Sequence, residues 1–382
     1  MVRNRVRLAI VGMGVASLFG VAETAYATQV VKIGVSGPLT GANAANGKDI
    51  ENGVRLAIDE VNGQHPTIGN EPVQFVMDSV DDQGDPRVGV QVAQKLVDDG
   101  VQVVIGHFNS GVCLPASQVF AKAGIPLIDP AATNPAITQQ GLKTVFRVIP
   151  TDAQNSGIAG KYAVTVMKAK RIAVMDDRTA FGQGEAEEFK KAVKAAGGSV
   201  VISEFTNDKA VDFSAQLTNI KAANADLLFF GGLDDQAGLI ARRMKQLGMH
   251  TVFLGGGAVA DTIFTKIAGS SADGAMAWEY GRPLSTLPRG NEYAEKYRKK
   301  FGIDNLTYSP FAYDATMLAI DAMKSANSTK PEVFIPALQN SQFTGITGEV
   351  AFDARGDLKS PASTLYKLTN GKWSPVTTTI AN

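Results

Sequence analysis

The stretch Val103-Val104-Ile105-Gly106-His107-Phe108-Asn109-Ser110-Gly111, continued as VCLPASQVF through Phe120, sets a short apolar run, a polar turn and a helical pattern in sequence. A strand that is apolar on both faces and gives way at once to a helix is the unit from which helix-covered parallel sheets are built. Pro115 falls in the first turns of that helix, which makes Ser110 its expected N-cap. A serine there has two uses: to close the helix, for about 1 kcal/mol, or to hold a ligand carboxylate with the free N–H groups behind it. Position alone leaves both open.

The same alternation extends in both directions. Apolar runs begin near Val31, Val73, Ile125, Ile172, Val200, Leu227 and Thr251. Between the first two, Val54, Ala57, Ile58 and Val61 fall at i, i+3, i+4 and i+7, one buried helical stripe. The pattern restarts near Arg171 after a connecting stretch, Val145 to Asp152, and this restart predicts two doubly wound units. Beyond Gly281 come helices near Asn291–Phe301 and Ser309–Ser325, then strand-like segments at Gly348–Phe352, Thr364–Leu368 and Trp373–Thr377. If the helices return to the first unit and the tail ends on the second, the chain crosses near Thr151, Gly281 and Arg355. The expectation is an α/β protein of two parallel-sheet lobes, 28–151 with 282–355 and 152–281 with 356–382, joined by a three-strand hinge.

At the amino end, Arg3, Arg5 and Arg7 precede an apolar run from Leu8 to Ala22 and the small-residue pattern Ala25-Tyr26-Ala27. That order is a secretory signal peptide over residues 1–27, and it predicts export to the periplasm. Cleavage would remove three arginines and one glutamate and leave 355 residues with a formal charge of −2. This length suits two domains, and this charge offers no nucleic-acid face. Cys113 is the single cysteine; it is expected to be a small buried hydrophobe.

In open parallel sheets ligands collect beyond the carboxyl ends of the strands. After Ile125 the turn Asp129-Pro130-Ala131-Ala132-Thr133-Asn134-Pro135 offers the Thr133 hydroxyl and the Ala131 carbonyl. Donors and hydroxyls on one side with a carbonyl on the other match the zwitterionic end of an α-amino acid. In the second unit the corresponding loops carry Asp176-Asp177-Arg178-Thr179-Ala180-Phe181-Gly182, Gly231-Gly232-Leu233-Asp234-Asp235 and Gly255-Gly256-Gly257-Ala258. There Asp234 or Asp235 is placed to meet an ammonium.

Enzyme chemistry finds little support. Gly34, Gly37, Gly41 and Gly47 are not spaced as a dinucleotide fingerprint, and neither a phosphate loop nor a nucleophile elbow occurs. His65, His107 and His250 lack metal-ligand spacing, and Asp78, Asp81, Asp82 and Asp85 fail the calcium-loop pattern and read as a helix-entry turn. No cofactor and no metal are expected.

Over nearly its whole length beyond residue 27 the chain resembles the leucine/isoleucine/valine-type periplasmic binding proteins of amino-acid ABC importers. The resemblance is carried by Val31-Lys32-Ile33-Gly34-Val35-Ser36-Gly37-Pro38, Asp81-Asp82 with Asp85-Pro86, Val104-Ile105-Gly106-His107, Pro130-Ala131-Ala132-Thr133, and Phe352-Asp353 with Gly356-Asp357-Leu358. It implies a type I periplasmic binding protein fold, hinge closure over the ligand, a monomer, and the permease subunits of an importer as partners. It also implies that Ser110 and Thr133 grip the ligand carboxylate, while the Ala131 carbonyl and Thr133 hydroxyl hold the ammonium. The family's second-lobe tyrosines are Phe181 and Leu233 here, and its ammonium-facing glutamate is Gly257. Asp234 is the expected replacement for that charge, and Asn46 takes a side-chain pocket position. The family's disulfide positions hold Gly84 and Asn109. The ligand expected is an α-amino acid, branched-chain aliphatic by preference. An aromatic carboxylate, urea or a short amide on the same fold is the first alternative, and an oxidoreductase or a sensory module stands further off.

Overall fold

The computed structural model describes Met1 and residues 28–381. Apart from Met1, the leader expected over residues 1–27 lies outside the described residues. In the first half the strands are β1 (Gln29–Gly37), β2 (Thr67–Ile68), β3 (Glu71–Asp81), β4 (Val103–Gly106), β5 (Leu127–Asp129) and β6 (Val145–Arg147). They form one sheet in the order β2-β3-β1-β4-β5-β6, parallel throughout except for the short β2 edge. Strands β7 (Ile172–Asp176), β8 (Val200–Phe205), β9 (Leu227–Gly231), β10 (Val252–Gly255) and β11 (Met276–Tyr280) build a second sheet. A small hairpin, β12 (Phe343–Thr344) and β13 (Glu349–Val350), follows, and β14 (Ala362–Thr369) and β15 (Lys372–Ile380) close the second sheet as antiparallel strands beyond β11.

Helices α1 (Ala44–Asn62), α2 (Pro86–Asp98), α3 (Ser110–Lys122) and α4 (Ala136–Gln139) belong to the first crossovers, and α5 (Asp152–Thr165), α6 (Ala180–Ala195), α7 (Ser214–Ala222), α8 (Asp234–Gln246) and α9 (Thr262–Ala268) to the second. Later come α10 (Gly290–Phe301), α11 (Ser309–Ser325) and α12 (Pro331–Gln339), which return to the first sheet, α11 packing along α1. Because successive side chains of a strand face opposite ways, each sheet feeds two cores. In β7, Ile172 and Val174 join Phe189, Phe229 and Trp278 on one face. Ala173 and Met175 join Phe213, Leu217 and Phe264 on the other. The first sheet does the same with Ile33, Val54 and Leu318 against Leu96, Cys113 and Phe120.

Several expectations need revising. The connector read at Val145 holds strand β6, three buried residues ending in an arginine. The strand β11, MAWEY, went unread because a charged residue interrupts its apolar pattern. Ser110 is the first helical residue of α3, and Asn109, with an extended backbone and no side-chain cap bond, is the N-cap. The acidic turn does open a helix: the Asp85 carboxylate accepts from Arg87 N and Val88 N at the start of α2.

Three passages join the lobes, and polar side chains tie them together. Arg147, fully buried at the end of β6, bonds Asp357 through Nε (3.0 Å). Its backbone N–H donates to the Gly356 carbonyl (2.9 Å). From α5, Gln154 donates to the Leu358 carbonyl (2.9 Å) and Asn155 to that of Trp278 (3.0 Å), so all three passages run side by side. No helix among the described residues is long and apolar enough to cross a membrane.

Candidate functional site

Strand order reverses between β1 and β4 in the first sheet and between β7 and β9 in the second. Switch points of this kind leave a crevice at the strands' carboxyl ends, and here the two crevices face each other. The cleft between them has a volume of about 480 Å³, within the range of small-molecule sites. Its first-lobe wall comes from the loops after β1, β3, β4 and β5, including Asn43, Phe108, Ser110 and Ala131. Its second-lobe wall comes from the loops after β7, β8 and β9, including Asp177, Phe181 and Leu233, and Tyr308 adds an aromatic floor. The lobes touch at the rim, where the Asn134 side chain donates to the Ala180 carbonyl (2.6 Å).

Ser110 is almost wholly buried, with its Oγ accepting from the Asn134 N–H (3.3 Å). The first helix-closing bonds of α3 run from Val112 and Cys113 to the Asn109 carbonyl (both 3.0 Å). The N–H groups of Ser110 and Gly111 therefore precede the helix ladder, and both residues line the cleft. A helix N-terminus of this kind attracts an anion.

The apolar part of the site is aromatic. Phe108 meets Tyr308 edge-on with ring centres 5.2 Å apart, and Tyr280 lies behind Tyr308 at 6.4 Å. Tyr308 is set by a distant acid: the Asp49 carboxylate on α1 accepts from the N–H groups of Leu306 (2.9 Å), Tyr308 (3.0 Å) and Ser309 (2.7 Å) and from the Tyr297 hydroxyl (2.9 Å). Phe108 and Tyr308 were not singled out from the sequence; Phe108 follows directly on the quoted strand, whereas nothing local marks Tyr308.

Of the residues expected to form the site, Ser110, Ala131, Phe181 and Leu233 come together on the cleft wall. Thr133 sits behind Ala131, fully buried, and its hydroxyl has no hydrogen-bond partner. Asn46 is off the wall, buried in the first turn of α1, and Asn43 and Thr40 occupy that side of the cleft. The structure does not bring Asp234 to the cleft either. Its carboxyl lies at the start of α8 beside that of Asp261, and burial first, then Asp261, push it up to about 9. Asp177, which does reach the wall, is pushed up to about 6 by burial, against the pull of Thr179. At Gly257 an added Cβ would fall inside the Tyr280 ring, and its N–H donates to the Glu185 carboxylate (2.8 Å). Among the described residues no group of three or more His, Cys, Asp or Glu is arranged to hold a metal ion.

The profile of a family described as periplasmic binding protein matches residues 30–372. The chain belongs to that family. This periplasmic binding protein is 36% identical to the Leu/Ile/Val-binding protein homolog 1 of Brucella suis over 361 residues, 94% of this chain and 95% of that one. It is 32% identical to the leucine-, isoleucine-, valine-, threonine- and alanine-binding protein of Pseudomonas aeruginosa over 351 residues, 92% of this chain and 93% of that one. Among solved structures it is similar to the leucine-binding protein LivK of Thermotoga maritima, with a TM-score of 0.83 and 26% identity over 92% of this chain and 99% of that one. The two facing sheets, the crevice between their switch points and the three crossings belong to a fold shared along almost the entire described chain.

Proposed function

We propose that this binding protein captures an α-amino acid with an aliphatic side chain in the inter-lobe cleft and delivers it to the permease subunits of an ABC importer. The observation that carries the reading is the pairing within one cleft of an open helix N-terminus at Ser110 and Gly111 with an apolar wall of Phe108, Phe181, Leu233 and Tyr308. The first suits a carboxylate, and the second suits a side chain without polar atoms. The relatives, which are named for binding leucine, isoleucine and valine, support the same ligand class. The mature chain begins after Ala27, works as a monomer in the periplasm and performs no covalent chemistry. Its lobes are 28–151 with 282–355 and 152–281 with 356–382.

Calorimetry of the mature protein, unfolded and refolded to strip carried-over ligand, tests this against the common amino acids and a set of deaminated and aromatic carboxylates. One-to-one binding of leucine, isoleucine or valine is the expected result. Binding of aromatic carboxylates alone would replace the ligand class. Ser110→Ala is expected to weaken leucine by about 1–3 kcal/mol, the cost of a lost hydrogen bond to a charged group. Unchanged affinity would take Ser110 out of the site.

A further inference from the structure

Behind the cleft wall lies a set of buried oxygen atoms that no cation in the fold satisfies. The Glu185 side chain is fully buried; one oxygen accepts from Gly257 N–H, and the other has no partner. Both carboxylate oxygens of the fully buried Asp152 are unpartnered. So are the hydroxyls of Thr133, with no exposure, and Tyr280, with 6%. These groups are neighbours. The Asp152 N–H donates to the Thr133 carbonyl (2.9 Å), and the Glu185 carboxylate lies where a Cβ on Gly256 would fall. The Tyr280 hydroxyl lies where one on Gly257 would fall.

Three of the four adjoin a residue of the cleft wall. Thr133 is two residues beyond Ala131, Glu185 is one helical turn beyond Phe181, and Tyr280 packs against Tyr308. Thr133 comes from the first lobe, whereas Glu185 and Tyr280 come from the second. An isolated buried carboxylate is strongly disfavoured, so this arrangement calls for a positive guest. We propose that Glu185, with Thr133 across the lobe boundary, receives the ammonium group of the bound amino acid, and so makes this chain select α-amino acids over carboxylates that lack the amine. An ammonium carries three donors, which Thr133 Oγ, the free Glu185 oxygen and the Tyr280 hydroxyl are suited to accept. The opposite pole of the ligand then faces the N-terminus of α3. This rests on the amino-acid reading above and assigns its charge to a residue other than Asp234.

A protonation signature follows. Burial, and then the neighbouring Asp152, hold the Glu185 carboxyl well above its usual range, so the empty pair keeps a proton that an arriving cation displaces. Leucine and 4-methylpentanoate, its counterpart without the amine, separate the possibilities when both are titrated into wild type and Glu185→Gln in two buffers of different protonation enthalpy. Gln keeps an oxygen for Gly257 N–H and removes only the charge. The expected result is leucine binding weakened about 30-fold or more in Glu185→Gln, 4-methylpentanoate changed by less than about 3-fold, and proton release on leucine binding seen only in wild type. Equal effects on the two ligands, or wild-type leucine affinity in the variant, would overturn the assignment to Glu185. Wild-type protein that binds 4-methylpentanoate but not leucine would instead overturn the amino-acid reading. Should Glu185→Gln fail to refold, the wild-type protein keeps the assignment testable: proton release on binding leucine but not 4-methylpentanoate is expected, and its absence would overturn it.

Discussion

Arg147→Ala is expected to destabilise the protein by about 3–5 kcal/mol, the range for removing one partner of a buried ion pair. The guanidinium has no exposure and spends its donors on four acceptors: Asp357 Oδ1 (3.0 Å), the carbonyls of Ala132 and Asn134 (both 3.0 Å) and Thr138 Oγ1 (2.9 Å). Truncation leaves the Asp357 carboxylate with a buried charge and Thr138 Oγ1 (2.8 Å) as its side-chain donor. It also frees the buried Ala132 carbonyl and the part-buried Asn134 carbonyl. Urea unfolding followed by circular dichroism measures the loss, and a cost below about 1 kcal/mol would show that the pair carries little. The double variant Arg147→Met with Asp357→Leu separates charge from packing: removing both partners is often neutral or stabilising, so most of the loss should be recovered. Ligand affinity should not recover with it. The same guanidinium holds the Ala132 and Asn134 carbonyls, and that loop presents Ala131 and Thr133.

Arg147 also shows where the sequence was legible and where it was not. The two-unit alternation was readable because parallel strands buried on both faces are continuous apolar runs, as at Ile172–Asp176 and Leu227–Gly231. Helix α11 was readable to the residue, Ser309–Ser325. What failed were β6, β11 and Glu185, whose charged residues are buried only because of a distant partner. β6 ends in an arginine and looked like a connector, since nothing nearby in sequence announces Asp357. β11 carries Glu279, which looks out of place in a core strand until the N–H groups of Ala258 (3.2 Å), Val259 (2.9 Å) and Ala260 (2.7 Å) are seen to donate to it. Glu185 sits in Gly184-Glu185-Ala186-Glu187-Glu188, which reads as a solvated helix face, yet Glu185 is fully buried while Glu187 is exposed. In the site the loop residues that directly follow strands, Ser110, Ala131, Phe181 and Leu233, were readable from strand ends and the family resemblance. Tyr308 was not, because its position is set by Asp49, which lies 259 residues away in sequence.

The same buried acids make the protein's stability fall as pH rises. Burial is the leading cause at each of four carboxyls, pushing Asp129 and Glu279 up to about 7 and Asp177 and Asp314 up to about 6. In the unfolded chain they titrate near 4. Between about pH 4 and pH 7 the folded state therefore binds more protons than the unfolded state, and stability declines with increasing pH across that window. Even at one pKa unit apiece the four remove about 5 kcal/mol together. Over pH 5 to 8 the unfolding midpoint should fall on the order of 10 °C. Carboxylates shifted the other way, such as Asp81, where burial pushes upward but hydrogen bonds from Thr40, Leu39 and Gln83 together outweigh it and hold the group below the usual range, lose their contribution only below about pH 4. They place the stability maximum in mildly acidic solution without reversing the slope above it. Glu279→Gln keeps an oxygen for the 258–260 loop and removes one titrating group, so its midpoint should fall less steeply over the same range. Thermal melts of both proteins in constant ionic strength decide the matter: a wild-type midpoint that rises from pH 5 to pH 8 would mean that the buried carboxyls remain ionised in the fold. An amino acid bound at Glu185 should flatten the slope, because its ammonium supplies the positive charge that Glu185 and Asp152 lack when the cleft is empty.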